Sequence, residues 1–289
     1  MEKIAIIADS GCQIPIGSLE DKGVFVVPLQ ITIGDTTYVD RIDMDSVAMF
    51  EMIRDQKLIA KTSQPATGMI QEAVQKIKRL GYSHIIGVTI GSGLSSTING
   101  FKLACDLCDM PVTLVDSKAS AMIHCYLVQT AKKLSDEGKE PQEIKTILES
   151  LVEYSDTFVM AQDMDHLKRG GRITPAVAAL AGMLKITPVM HLNHELNGRI
   201  DSLYKVRTAK KANIRIVEHM VEDCHVNNTD YMFAIEHVLA EEMALEMKEL
   251  LLQKIGPCED IIVRELPAVV GVHLGTGGLG YQYIKKYQG

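Results

Sequence analysis

The chain alternates between short, unbroken apolar runs and amphipathic stretches of helical period. Residues 4–8 (Ile-Ala-Ile-Ile-Ala) form such a run and end in Asp9-Ser10-Gly11, as a strand buried on both faces of a parallel sheet does. Residues 24–29 predict the next strand. Residues 31–39, with Gly34-Asp35 between β-prone flanks, predict a hairpin. Asp43-Met44-Asp45-Ser46 opens a helix to about Gln56, with Val47, Phe50, Met52 and Ile53 on its buried side. Lys61-Thr62-Ser63-Gln64-Pro65 leads into a second helix that ends at Gly81, with Pro65 in its first turn. The apolar run 84–90 then meets Gly91-Ser92-Gly93-Leu94-Ser95-Ser96, and a helix over 96–108 follows. A buried strand at 111–115 closes in Asp116-Ser117-Lys118, and helices cover about 119–134 and 141–153.

The pattern changes after the strand at 157–160. Residues 166–173 are basic and broken by glycine; Thr174-Pro175 then starts a helix over 176–184 that is apolar nearly all round. Such a helix requires cover by protein or by ligand. Strands at 186–192 and 198–207 flank a turn-rich segment. Helices near 209–224 and 239–254 alternate with strands at 230–236 and 259–264, and residues 268–280 predict a strand running into a glycine-rich loop. The fold class is therefore α/β, with a largely parallel N-terminal sheet flanked by helices over 1–156 and a second α/β domain over 157–289. Polar loops that follow parallel strands gather at the carboxyl edge of the sheet, where ligands bind.

Charge and composition narrow the function. The net charge of −7 over 289 residues argues against nucleic acid as the partner, while leaving room for a local basic pocket. No run of eighteen apolar residues exists, so no membrane-spanning helix is expected. The start, Met1-Glu2-Lys3-Ile4-Ala5, enters a strand with no signal-peptide pattern, so a cytoplasmic location is expected. Cys105-Asp106-Leu107-Cys108 is a lone CxxC among six scattered cysteines. Without a second pair it reads as reduced thiols and not as a zinc site.

Several segments carry candidate chemistry. The loop Gly91–Ser96 brings three hydroxyls to a strand–helix junction, where unpaired N–H groups and the helix dipole favour an anion; the competing reading makes Ser95 only a helix N-cap. Thr62 and Ser63 offer two more hydroxyls. His273 precedes Gly275-Thr276-Gly277-Gly278 and is a donor, a proton carrier or a structural histidine. Arg172, and Arg207 with Lys205, Lys210 and Lys211, give the second half local positive charge. Asp9 and Asp116 follow strands, as catalytic bases or as residues that bond loop amides. His191 and His194 lie three apart in a turn-rich segment, which is not a metal-ligand pattern by itself, so no metal site is expected, and no GxSxG, P-loop or HExxH is present.

Taken in order, Ile7-Ala8-Asp9-Ser10, Thr62-Ser63-Gln64-Pro65, Ser92-Gly93-Leu94-Ser95, Asp116-Ser117-Lys118, Leu167-Lys168-Arg169-Gly170-Gly171-Arg172-Ile173, Lys205-Val206-Arg207-Thr208 and Gly271-Val272-His273-Leu274-Gly275 resemble the DegV family of bacterial fatty-acid-binding proteins. Gly91 departs from the pattern by standing where many members carry serine. The resemblance implies a palmitate-like fatty acid in a tunnel between two α/β domains. Thr62 and Ser95 would hold its carboxylate, with Ser92, Ser63 and His273 as neighbours. Leu180 and Met183, on the apolar helix, would wall the chain, and Arg172 and Arg207 would face the acyl chain or a kinase. It further implies a carrier with no catalytic residue and no cofactor beyond the bound acid, presenting that acid to a separate fatty acid kinase. The competing reading is an enzyme acting on a small phosphorylated or carboxylated metabolite, with Asp9, Asp116 or His273 as base. It predicts a small open polar cleft in place of a long apolar tunnel.

Overall fold

The computed structural model describes residues 3–162, 164–180 and 186–289, without the side chains of Asp165, His166 and Leu180. The first half runs β1 (Ile4–Asp9), β2 (Val24–Val27), β3 (Gln30–Ile33), β4 (Thr36–Val39), α1 (Ser46–Gln56), β5 (Ala60–Ser63), α2 (Thr67–Arg79), β6 (His84–Thr89), α3 (Thr97–Leu107), β7 (Val112–Asp116), α4 (Ala121–Asp136) and α5 (Pro141–Glu153). The second runs β8 (Ser155–Met160), α6 (Met164–Gly170), α7 (Pro175–Leu180), β9 (Thr187–Leu192), β10 (Asp201–Val206), α8 (Ala209–Glu222), β11 (Tyr231–His237), α9 (Glu241–Ile255), β12 (Ile261–Glu265), α10 (Ala268–Leu274) and β13 (Leu279–Lys285).

The apolar runs form a four-stranded, all-parallel sheet of order β2-β1-β6-β7. One face packs on α2 and α3, where Ile70, Val74 and Ile77 of α2 supply a helical stripe of buried side chains. The other face packs on α4 and α5. Those two helices also touch the six-stranded sheet β10-β9-β8-β13-β11-β12, because Ala234 and Ile284 of that sheet join the same apolar cluster. Helices α8 and α9 cover the far face of the second sheet. The layers therefore run helix, sheet, helix, sheet, helix, and the inner face of the second sheet looks toward the carboxyl edge of the first. A small antiparallel sheet, β4-β3-β5, and α1 pack on α10 through Phe50, which lies where a Cβ on Gly271 would come within 2.3 Å of its ring.

Three expectations are corrected. Residues 268–274 are a helix, not a strand: Ala268, Val269, Gly271, Val272 and Leu274 are buried around most of its circumference. A short helix covered on nearly all sides has the composition of a buried strand. The strand comes later, as β13, and lies at the centre of the second sheet between β8 and β11. Pro65 precedes the helix it was expected to begin, since Ala66 is the N-cap of α2, and Thr62-Ser63 close a strand. Residues 164–170 form helix α6 where only a broken basic segment was anticipated.

Candidate functional site

The loop after β6 is fixed from both sides. Asp116, at the end of β7, accepts the N–H groups of Ser92 and Lys118 at 3.0 Å each, and Lys118 Nζ closes on it at 2.8 Å. Burial alone would raise the Asp116 carboxyl; the Lys118 and Ser92 contacts hold it below its ordinary value instead. Gly91 N–H donates to Ala119 O at 2.7 Å, and a Cβ on Gly91 would meet the backbone of Lys118 and Ala119 at 2.9 Å. The missing serine at this position is thus a close backbone approach. Gly93 faces the loop before β10 so tightly that a Cβ would lie 2.4 Å from Gly198. Asp9 does the same service one strand over, accepting Gly11 N–H at 3.0 Å and Ile90 N–H at 2.8 Å while fully buried. Both aspartates are loop fasteners, with their oxygens engaged on backbone amides.

Ser95 is not the cap of α3. Ser96 occupies that position and makes no side-chain capping bond, while Ser95 Oγ pairs with Thr97 Oγ1 at 2.9 Å. The first turn of α3 therefore presents N–H groups with no side-chain cap at the rim of a cavity. On the opposite rim, strand alternation sends Thr62 and Ser63 to different sides. Thr62 Oγ1 reaches His273 Nε2 on α10 at 2.8 Å, and Ser63 Oγ donates to Gln30 Oε1 at 3.3 Å. Gly170 makes room for this histidine, since a Cβ there would come within 2.7 Å of its Nδ1.

Arg172 joins the two rims. Its guanidinium donates to Leu94 O at 3.1 Å, to Thr62 O at 3.2 Å and to Gly170 O. Burial pushes it below its ordinary pKa, and among the described residues no carboxylate pairs with it. A half-buried cation bonded only to carbonyls leaves its charge available to an anion at the mouth.

Behind this rim lies a narrow cavity, with about 830 Å³ of empty space when its open mouth is included. Thr62, Ser63, Ser95, Arg172 and His273 line its mouth. Apolar side chains wall its body: Leu29, Ile90 and Leu94 from the first half, and Val159, Leu167, Leu192, Ile200, Leu266, Val269, Val270 and Leu274 from the second. Thr157, Glu236, Gly280 and Gln282, on the inner face of the second sheet, complete it with Ser120. A shallower polar cleft opens beside the mouth, lined by Gln64, Ser92, Gly93, Leu94, Ser95, Ser96, Gly171 and Arg172.

The structure thus brings Thr62, Ser63, Ser95, Arg172 and His273 together and leaves other candidates outside. Ser92 faces the outer cleft alone. Arg207 is exposed beyond the edge strand β10 and does not line the cavity. Met183 and the side chain of Leu180 lie outside the described residues. Of α7, Val177 is buried in the same apolar cluster as Leu167, Leu192 and Ile200. Sequence reasoning missed Glu236 and Gln282; the signal for the first was a lone charge inside the apolar run Met232-Phe233-Ala234-Ile235-Glu236.

An enclosed apolar cavity between two sheets, with hydroxyls and one cation at its mouth, defines a two-sheet α/β binding protein. The chain belongs to the DegV family: the profile described as "Uncharacterised protein, DegV family" matches residues 3–286. Protein DegV of Bacillus subtilis is 31% identical over 287 residues, covering 98% of this chain and 99% of the relative. The crystal structure of DegV from Bacillus subtilis, described as a fatty acid binding protein, matches with a TM-score of 0.87 at 29% identity, covering 99% of this chain and 100% of that one. A fatty acid binding DegV family protein from Streptococcus agalactiae matches with a TM-score of 0.88 at 27% identity, over 99% and 100% of the two chains. Among the described residues no helix is long and apolar enough to cross a membrane.

Proposed function

We propose that this protein binds a long-chain fatty acid, its carboxylate between Thr62, Ser95 and Arg172 and its chain along the apolar cavity. The observation that carries the reading is the pairing of a mouth cation, without an acidic partner among the described residues, with an apolar cavity body behind it. The fatty-acid-binding relatives at 29% and 27% identity support the ligand class. Residues 1–156 supply the carboxylate loops and residues 157–289 cover the chain. Burying a sixteen-carbon tail contributes on the order of 10 kcal/mol at ~0.8 kcal/mol per CH₂, before ordering costs.

The protein acts as a carrier and not as an enzyme on its ligand. Asp9 and Asp116, the carboxylates that could have served as bases, are committed to loop amides. The polar cleft beside the mouth gives access to the carboxylate from outside, as presentation to a separate fatty acid kinase requires. Lipid extraction of the purified protein followed by mass spectrometry tests the ligand: a stoichiometric long-chain acid is expected. If delipidated protein binds palmitate no better than it binds small polar metabolites, the reading fails.

A further inference from the structure

The floor of the cavity is the inner face of the second sheet, and one position on its central strand is bare. Along β13, Leu279, Tyr281 and Tyr283 pack into the apolar cluster under α8 and α9. Gln282 and Ile284 face the other way. The Gln282 amide donates to Ser120 O at 3.0 Å and its oxygen accepts Ile123 N–H at 3.2 Å, while Ile284 joins the cluster around α4 and α5. Strand alternation puts position 280 on this same inner face. Gly280 is paired on both sides, with Val159 of β8 and Glu236 of β11, and it lines the cavity. Its missing side chain would point into the space that Val159 and Leu266 help to enclose.

Neither backbone nor packing requires a glycine there. A glycine in a paired strand weakens it, because it loses more chain freedom on folding and gives neighbours nothing to pack against. Gly280 has no left-handed φ to justify it. A Cβ would meet only Leu266 Cδ2 at 3.6 Å and Glu236 O at 3.9 Å, which are ordinary contacts. At Gly91, Gly93 and Gly271, by contrast, a Cβ would fall at 2.9, 2.4 and 2.3 Å from protein atoms. The remaining reason for bare backbone in a strand is a ligand that lies against it. We propose that the distal part of the acyl chain lies against the Gly280 backbone, and that the missing side chain sets the length of chain the cavity admits. Gly280 is then the specificity-determining residue for chain length. Each methylene that a side chain at 280 keeps out of the cavity costs about fourfold in affinity.

This inference rests on the fatty-acid reading, and its test separates the two. Delipidated wild type, Gly280→Ala and Gly280→Val are titrated with decanoic, dodecanoic, palmitic and stearic acids. Relative to decanoate, Gly280→Ala is expected to lose about 4- to 15-fold on palmitate and stearate, the cost of one or two methylenes, and Gly280→Val to lose more. Delipidated Gly280→Ala is expected to melt no lower than wild type, because the added methyl has room. An unchanged length profile, or equal weakening at all four lengths, overturns the proposal. A lowered melting temperature of delipidated Gly280→Ala also overturns it, since the glycine is then structural. If Gly280→Val does not fold, Gly280→Ala alone decides. Binding of none of the four acids by the wild type overturns the fatty-acid reading itself.

Discussion

Replacing Arg172 by methionine tests the mouth of the cavity quantitatively. Methionine retains most of the apolar stem but is shorter, and it lacks the charge and the three bonds to the carbonyls of Leu94, Thr62 and Gly170. At a separation of about 4–6 Å and an effective dielectric of about 20, a guanidinium and a carboxylate attract by ~3–4 kcal/mol. Partial exposure at the rim discounts this to about 1.5–3 kcal/mol, or roughly a 10- to 100-fold rise in Kd for palmitate. The loss should be the same for shorter acids, because the tail does not touch the charge. Palmitate methyl ester, which has the tail without the charge, should bind the two proteins alike. Calorimetric titration of delipidated protein reads all three ligands. If the ester loses as much affinity as the acid, Arg172 acts only by holding the Leu94 and Thr62 loops, and the electrostatic argument is wrong.

Thr62→Val combined with Ser95→Ala removes the two hydroxyls at the rim, and palmitate affinity should fall by about 10- to 100-fold with near-unchanged far-UV circular dichroism. Gly91→Ser would press a Cβ on the backbone of Lys118 and Ala119 at 2.9 Å; chemical denaturation should show a loss of about 1–3 kcal/mol. Burial pushes the Asp40 carboxyl up to about 6, although the Ser10 hydroxyl and Arg41 lower it. Its folded pKa then exceeds its unfolded one, so the folded state binds the extra proton between about pH 4 and 6 and stability falls as pH rises through that window. Denaturation midpoints across it should fall more steeply with pH in the wild type than in Asp40→Asn, and equal slopes would refute the assignment.

What the sequence made legible follows from how many faces each element buries. Strands β1, β6 and β7 carry mainly apolar runs closed by Asp9, Gly91 and Asp116, so both the parallel sheet and its polar carboxyl edge were readable. The family motifs singled out Thr62, Ser95 and His273 before any geometry. Helix α10 was misread because Ala-Val-Val-Gly-Val-His-Leu is buried on most sides and shows no periodicity that separates helix from strand. Its reassignment is also what brings His273 to Thr62, through one turn of helix between Gly271 and Leu274. The cavity floor was not readable, because Thr157, Glu236, Gly280 and Gln282 come from three strands distant in sequence and meet only through antiparallel pairing. Arg172 was legible as a cation, but two of its three backbone partners, Leu94 and Thr62, lie on distant segments and no local pattern announces them.

The proposed orientation puts the carboxylate at the Thr62–Ser95–Arg172 mouth and the chain end at the floor of the second sheet. A crystal structure with ω-bromopalmitate tests it directly, since the bromine's anomalous signal marks the chain end without reference to the rest of the density. The signal is expected beside Gly280 and Glu236, with the carboxylate within hydrogen-bond reach of Thr62 Oγ1. A bromine at the mouth, or one bound on the protein surface with the cavity empty, rules this orientation out.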